Sequence, residues 1–145
     1  MAADDHLLAA RLDVHDVIVG VALDQDARDW ASLAGRFDAN AIYDHPRGRL
    51  EGADAIVERA RAALAPLDAC QHLIGSVLVT VDDDTATAIS YFQAQHVRAV
   101  APGGPLYTIA GTYRDRLARR DGLWLITHRA QSYAWRDGNP AVIIR

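Results

Sequence analysis

Lysine is missing from the 145-residue chain, and all 15 basic residues are arginine. Schiff-base catalysis and a phosphate-loop lysine are therefore excluded. A single cysteine, Cys70, rules out an intrachain disulfide framework and a thiolate-rich metal site. No apolar run approaches the roughly 18 residues of a membrane span. The first residues, MAADDHLLAARLDVHD, lack a basic stretch leading into an apolar one, so neither a signal peptide nor a membrane partner is expected. The cytoplasm is the expected compartment. His6, His15, His45, His72, His96 and His128 form no HExxH motif and no ligand-spaced cluster, so no metal is expected. Neither a GxSxG elbow nor a phosphate-binding glycine loop occurs. Positive charge is also scarce, at 15 basic against 19 acidic residues, whereas a nucleic-acid binder needs a basic stripe. Arg114, Arg116, Arg119 and Arg120 are interrupted by Asp115 and Asp121 and read as a solvated strand end.

What remains is one domain, residues 1–145, half hydrophobic and 23% charged, which suffices for a core. The first two-fifths carry helical periodicity. A helix begins at an N-cap on Asp4 or Asp5, with Leu8, Leu12, Val19 and Leu23 on one stripe beside His15. Val14, Ile18 and Val21 widen its apolar face, which predicts packing on two sides, while Gly20 weakens its last turn. A second helix fits Asp26–Ala34, capped by Asp26 and stopped at Gly35. A third fits Ala53–Leu64, with Pro66 beyond its end. Between them lie a short strand, Ala41–Tyr43, and a turn at His45-Pro46-Arg47-Gly48.

Then the period changes. His72–Val81, Thr87–Val100, Leu106–Leu117 and Leu123–Trp135 are rich in β-branched and aromatic residues and separated by turn chemistry. Three short connections in succession predict an antiparallel meander. The order predicts an α+β fold, helices covering one face of a strongly curved, mainly antiparallel sheet, with a cavity between them. Strand alternation groups Arg129 with Leu123, Leu125, Thr127, Gln131, Tyr133 and Trp135. It groups His96 with Ala88, Ser90, Phe92, Ala94 and Val100, and His72 with Ile74 and Leu78.

The segments FDANAIYDHPRGRLEGADAIVERA and GTYRDRLARRDGLWLITHR, with the strands between them, resemble the nuclear-transport-factor-2-like superfamily. Within it the chain is most similar to the SnoaL-like branch that includes scytalone dehydratase and lindane dehydrochlorinase, over about Leu7 to Trp135. The resemblance implies a cone-shaped α+β barrel, built from three N-terminal helices on the curved sheet, and a homo-oligomer (dimer or trimer). It also implies a site. An aspartate ending the first helix, matched by Asp24 in VALDQDARDW, pairs with a histidine opening the first long strand, matched by His72 in DACQHLIGS. Arg129 matches an arginine of the last strand, and His96 is similar in position to a second histidine. Five positions before Asp24, where relatives often carry a tyrosine, stands Val19.

In that arrangement Asp24 fixes the tautomer of His72, His72 is the base, and Arg129 stabilises developing negative charge. His96, Tyr43, Tyr133, Phe92 and Leu125 would contact a hydrophobic small molecule. The expected function is a lyase or isomerase, dehydratase-like, working without a cofactor. Two alternatives stand beside it. One is a non-catalytic ligand-binding domain, similar to a ring-hydroxylating dioxygenase small subunit. The other is a proton shuttle through Asp44, whose place in AIYDHPRG is similar to that of the base of ketosteroid isomerase. Asp44 also reads as an ordinary turn residue.

Overall fold

The first helix runs past both of its predicted ends. In the computed structural model, which describes residues 2–144, helix α1 spans Ala2–Ala27, so Asp4 and Asp5 lie inside its first turn, and Asp26 lies inside its last. The cap of the next helix is instead Asp29, whose side chain accepts from Ser32 N at 3.0 Å and starts α2, Trp30–Ala34. The inward face of α1 is Ala10, Val14, Ile18 and Val21. The Leu8, Leu12 and Leu23 stripe points outward, at 56%, 56% and 62% exposure. Two apolar stripes compete on this helix, and the β-branched one packs against the sheet. Gly20 is buried rather than frayed. A Cβ there would sit 2.5 Å from the Arg36 guanidinium carbon, so glycine is the residue that lets Arg36 lie across the helix and reach Asp24.

After α2 come β1 (Phe37–His45), β2 (Gly48–Glu51), α3 (Ala53–Leu64), β3 (Ala69–Asp82), β4 (Thr85–Val97), β5 (Leu106–Arg120) and β6 (Leu123–Gly138). A 3₁₀ turn, Pro140–Val142, follows. The predicted third helix and the meander β3–β6 are present. Among the described residues the sheet has the order β2-β1-β6-β5-β4-β3. Its neighbours are antiparallel except β1 and β6, which run parallel. The sheet does not close into a barrel, since β2 and β3 are free edges, but with its helices it makes an α+β cone.

Alternation holds along β4, where Ala86, Ala88, Ser90, Phe92, Ala94 and His96 are all buried. Val100 lies beyond the strand and is 81% exposed. On β6 and β3, by contrast, three β-bulges reset which residues face inward. In β6, Arg116 pairs with His128 while Leu117 pairs with Ile126, which leaves Thr127 extra. Trp124 and Ile126 therefore share the inner face with Arg129, Gln131 and Tyr133, and Leu125 is turned off it. Ala134 is a second extra residue, between the pairs Gly111–Tyr133 and Ala110–Trp135. In β3 the register slips between Gly75 and Leu78, with Ser76 at φ 49°. Val77, Val79 and Val81 pack into the core in consequence, and Leu78 is 62% exposed.

The second β6 bulge dictates Gly111. A Cβ at this position would lie 1.9 Å from the Ser132 carbonyl oxygen and 3.0 Å from its carbon, and both are backbone atoms that cannot step aside alone. Gly111→Ala should therefore cost about 3 kcal/mol, the upper end of the usual overpacking penalty. Urea unfolding checks this, and an unchanged midpoint would contradict the packing argument.

Candidate active site

The clearest polar arrangement joins the end of α1 to the start of β3. Because α1 continues to Ala27, Asp26 is free of capping and meets His72 twice. Its Oδ1 is 2.6 Å from the ring Nδ1, and its Oδ2 accepts the backbone N–H of His72 at 2.9 Å. Burial alone would raise the Asp26 carboxyl, but the two His72 hydrogen bonds and the imidazole charge outweigh it and hold the carboxyl below its ordinary range. With Nδ1–H committed to Asp26, Nε2 of His72 is the nitrogen left for the cavity, which the His72 side chain lines.

That cavity, about 320 Å³, lies between the helices and the inner face of the sheet. His96 stands edge-on to His72, ring centroids 6.0 Å apart. Its Nδ1 is 3.1 Å from the Tyr107 carbonyl oxygen, an acceptor, so Nδ1 carries the hydrogen and Nε2 is a lone-pair acceptor. Burial, reinforced by the neighbouring His72, lowers the His96 pKa to about 4.

The opposite wall is phenolic and ionic. Arg129 forms a two-point bond with Asp115, Nε–Oδ1 2.7 Å and Nη2–Oδ2 3.0 Å. Both residues are 2% exposed. Burial by itself would favour loss of the Arg129 proton, but the Asp115 carboxylate reverses this and keeps the guanidinium charged. The guanidinium carbon lies 4.0 Å from the centre of the Tyr113 ring, which stacks on Phe92 at 4.4 Å. Burial pushes the Tyr113 hydroxyl up to about 12 and raises Tyr43 and Tyr133 as well. All three phenols line the cavity and keep their protons at neutral pH. The Tyr43 hydroxyl donates to Gln131 Oε1.

Among the described residues, Asp26, Cys70 and His72 form one cluster whose donor atoms lie within 4.8 Å of one another, close enough for a metal ion. Here the donors satisfy each other. Cys70 Sγ lies 3.6 Å from Asp26 Oδ1, and burial raises its thiol pKa to about 11, so it is a protonated hydrogen-bond donor rather than a thiolate.

A family model describing a SnoaL-like domain matches residues 6–130. The chain belongs to this family. No curated protein matches it significantly. Among solved structures, a hexachlorocyclohexane dehydrochlorinase of type 2 is 20% identical, with a TM-score of 0.80 over 90% of this chain and 88% of that one. A putative scytalone dehydratase from Novosphingobium aromaticivorans is 18% identical, with a TM-score of 0.82 over 93% and 90%. A protein of unknown function from Mycobacterium tuberculosis is 25% identical, with a TM-score of 0.78 over 89% and 74%. These likenesses establish a shared fold.

In this SnoaL-like chain the expected histidine and arginine positions line one cavity, but the expected aspartate does not join them. Asp24 is bonded to Arg36 Nε at 2.9 Å and has no contact with His72. The carboxylate that grips His72 is Asp26, two residues on, because the helix continues through it. Five positions before Asp26 stands Val21, which lines the cavity without a polar group. His96, Tyr43, Tyr133 and Phe92 are on the cavity wall, whereas Leu125 is not, being displaced by the bulge at Thr127. Arg129 is there but carries its own counter-ion. Asp44 is also off the wall, held by Arg49 at 2.7 Å and His128 at 2.8 Å, which leaves a shuttle through it no access to the cavity. Sequence reasoning missed Tyr113 and Asp115, although alternation from Tyr107 and Ile109 puts both on the inner face of β5. It also left His45 and Arg47 to the turn, and overlooked Gln25 and Arg59.

Two expectations follow. Removing Asp115 strands a buried charge, so Asp115→Leu should cost about 3–5 kcal/mol, and adding Arg129→Leu should recover much of it. Denaturant unfolding of the single and double variants measures both. His96 protonates near 6.5 in the unfolded chain but only near 4 when folded. Between those pH values the unfolded state binds more protons, so stability falls as pH falls, by up to about 3 kcal/mol at pH 4. His45 is lowered to about 4 as well, so His96→Gln should remove the His96 share of the slope and leave that of His45 in unfolding curves collected from pH 7 to 4.

Proposed function

We propose that this SnoaL-like domain is a lyase or isomerase that needs no cofactor and uses Asp26 and His72 as its acid–base pair on a hydrophobic small molecule. One observation carries the reading, the two-point grip of Asp26 on the ring and backbone of His72 at the cavity wall. Nε2 of His72 takes a proton from a substrate carbon. In an elimination the C–H electron pair becomes the new double bond as the leaving group departs from the adjacent carbon with its own pair. In an isomerisation nothing departs, and the pair is delocalised onto a neighbouring carbonyl oxygen as an enolate. Asp26 stabilises the imidazolium that results. His72 then returns the proton, to a departing hydroxyl in an elimination or to another carbon in an isomerisation.

Tyr113 and Tyr133 are the phenolic donors for negative charge, since burial keeps them protonated, while the Tyr43 hydrogen is committed to Gln131. Arg129 contributes oriented N–H dipoles rather than net charge, because Asp115 cancels it. Nε2 of His96 accepts from a substrate hydroxyl or a water. The apolar sector, Val21, Leu33, Phe37, Ile56, Phe92 and Ile109, suits a cyclic or aromatic body.

The test is a screen of cyclic β-hydroxy and β-halo carbonyl compounds for elimination, with deuterium uptake from solvent as a second readout. On any substrate found, His72→Ala should lower turnover about 10²–10⁴-fold, the usual contribution of a positioned base. Asp26→Asn should lower it substantially, and Asp24→Asn should leave it within a few-fold of wild type. Full activity in His72→Ala would overturn the assignment.

A further inference from the structure

We propose that the substrate carries a carboxylate, seated between Arg47 and Arg59 where the β1–β2 hairpin and α3 border the cavity. The inference rests on the cavity being the substrate site, as argued above, and concerns what that site selects. Among the described residues lining the cavity there are three arginines and three histidines but no aspartate or glutamate. Arg129 is neutralised by Asp115. Arg47 and Arg59 are not, because neither guanidinium has an ion pair or hydrogen bond to any described residue.

The acids next to them in sequence are committed elsewhere. Asp44 faces Arg49 and His128, and Glu58 lies 3.7 Å from Arg61 on the outer side of α3. Arg11, Arg114 and Arg116 also lack a carboxylate partner among the described residues, but none of them lines the cavity. Arg47 and Arg59 are distinguished by place: they are the two guanidiniums among the described residues that line the cavity without a counter-ion. Arg47 is exposed and Arg59 half-buried, so the cavity reaches solvent beside them, and a charged group there need not be fully desolvated. Arg136 adds a third cation at this rim, 5.2 Å from the ring of Tyr133.

The rim groups between them are neutral. His45 lies edge-on to Tyr133, with ring centroids 6.4 Å apart. Burial, helped by the charges of Arg59 and Arg47, lowers its pKa to about 4, so it offers neutral hydrogen bonding beside the two cations. A planar carboxylate matches the fork of a guanidinium. The wall then sorts ligands lengthwise, with the anion at the hairpin rim and the apolar body deeper, toward the histidines.

The probes are 2-naphthoate and 2-naphthamide, which share size and shape and differ in charge, titrated calorimetrically into the full chain at pH 7. Naphthoate should bind at least about tenfold tighter than the amide, one unscreened ion pair's worth, and the margin should shrink as salt rises. The double variant R47Q/R59Q should lose most of the naphthoate preference, keeping at most the remnant that Arg136 supports, while R47K/R59K should keep part of it through charge without the guanidinium fork. Thermal unfolding of the variants reports whether the fold is intact. Equal binding by the wild type, no measurable naphthoate binding, or a preference undiminished in R47Q/R59Q would overturn the proposal. His72→Ala should keep the naphthoate preference even where turnover is lost. Equilibrium binding thus judges the carboxylate seat separately from the base.

Discussion

The grip of Asp26 on His72 ties the end of the longest helix to the first strand of the meander, and the cavity's polar end depends on it. A carboxylate that met only the ring would leave the imidazole free to swing. By also accepting the backbone N–H of His72, Asp26 fixes the strand start itself, so the helix, strand and ring move as one piece. The grip requires α1 to run through Asp26, which in turn requires another residue to begin α2. Asp29 does so, two residues after α1 ends and with Arg28 at φ 57° making the break. Local capping chemistry and the candidate catalytic geometry are therefore one arrangement.

The second constraint is the set of bulges. A strand with unbroken alternation could not put Trp124 and Ile126 in the core and also turn Arg129, Gln131 and Tyr133 inward, since the two groups have opposite parity. One extra residue at Thr127 reconciles them. The deep end of β6 serves the hydrophobic core beneath α1, and its other end serves the cavity wall. The bulge in β3 divides its strand in the same way, with His72 and Ile74 on one side of the slip and Val77, Val79 and Val81 on the other.

These features also show what was legible in the sequence. Turn residues and period changes marked α3 and all four long strands, because each is bounded by proline, glycine or aspartate clusters. The histidines followed from their places at strand starts and on inner faces. Bulges were not legible, because an extra residue leaves no compositional mark when it is a threonine or an alanine inside a strand. Leu125 and Leu78 were misassigned for that reason alone. Asp24 and Asp26 share the same local signal, an acid near a helix end. Only the register of the helix against β3 decides which one reaches His72 and which one meets Arg36 over Gly20. Asp115 looks like part of a solvated charge run because arginines flank it in the sequence; Arg114 and Arg116 are exposed, but alternation sets Asp115 on the opposite face.

A chain whose cations are all arginine gains its meaning from where each counter-ion lies. Most of the ion pairs are local clasps at the surface, each of which contributes little to stability. Arg129 and Asp115 are different, because neither charge is tolerable in the wall without the other. Their cancellation has a chemical consequence. The deep wall presents hydrogen-bond donors with no net charge of their own. Net positive charge is confined to the solvent rim, beside Arg47, Arg59 and Arg136, where holding an anion costs least desolvation. On the proposed reading the cavity separates two tasks, recognition of charge at the solvent rim and proton transfer where Asp26 and His72 meet the buried end.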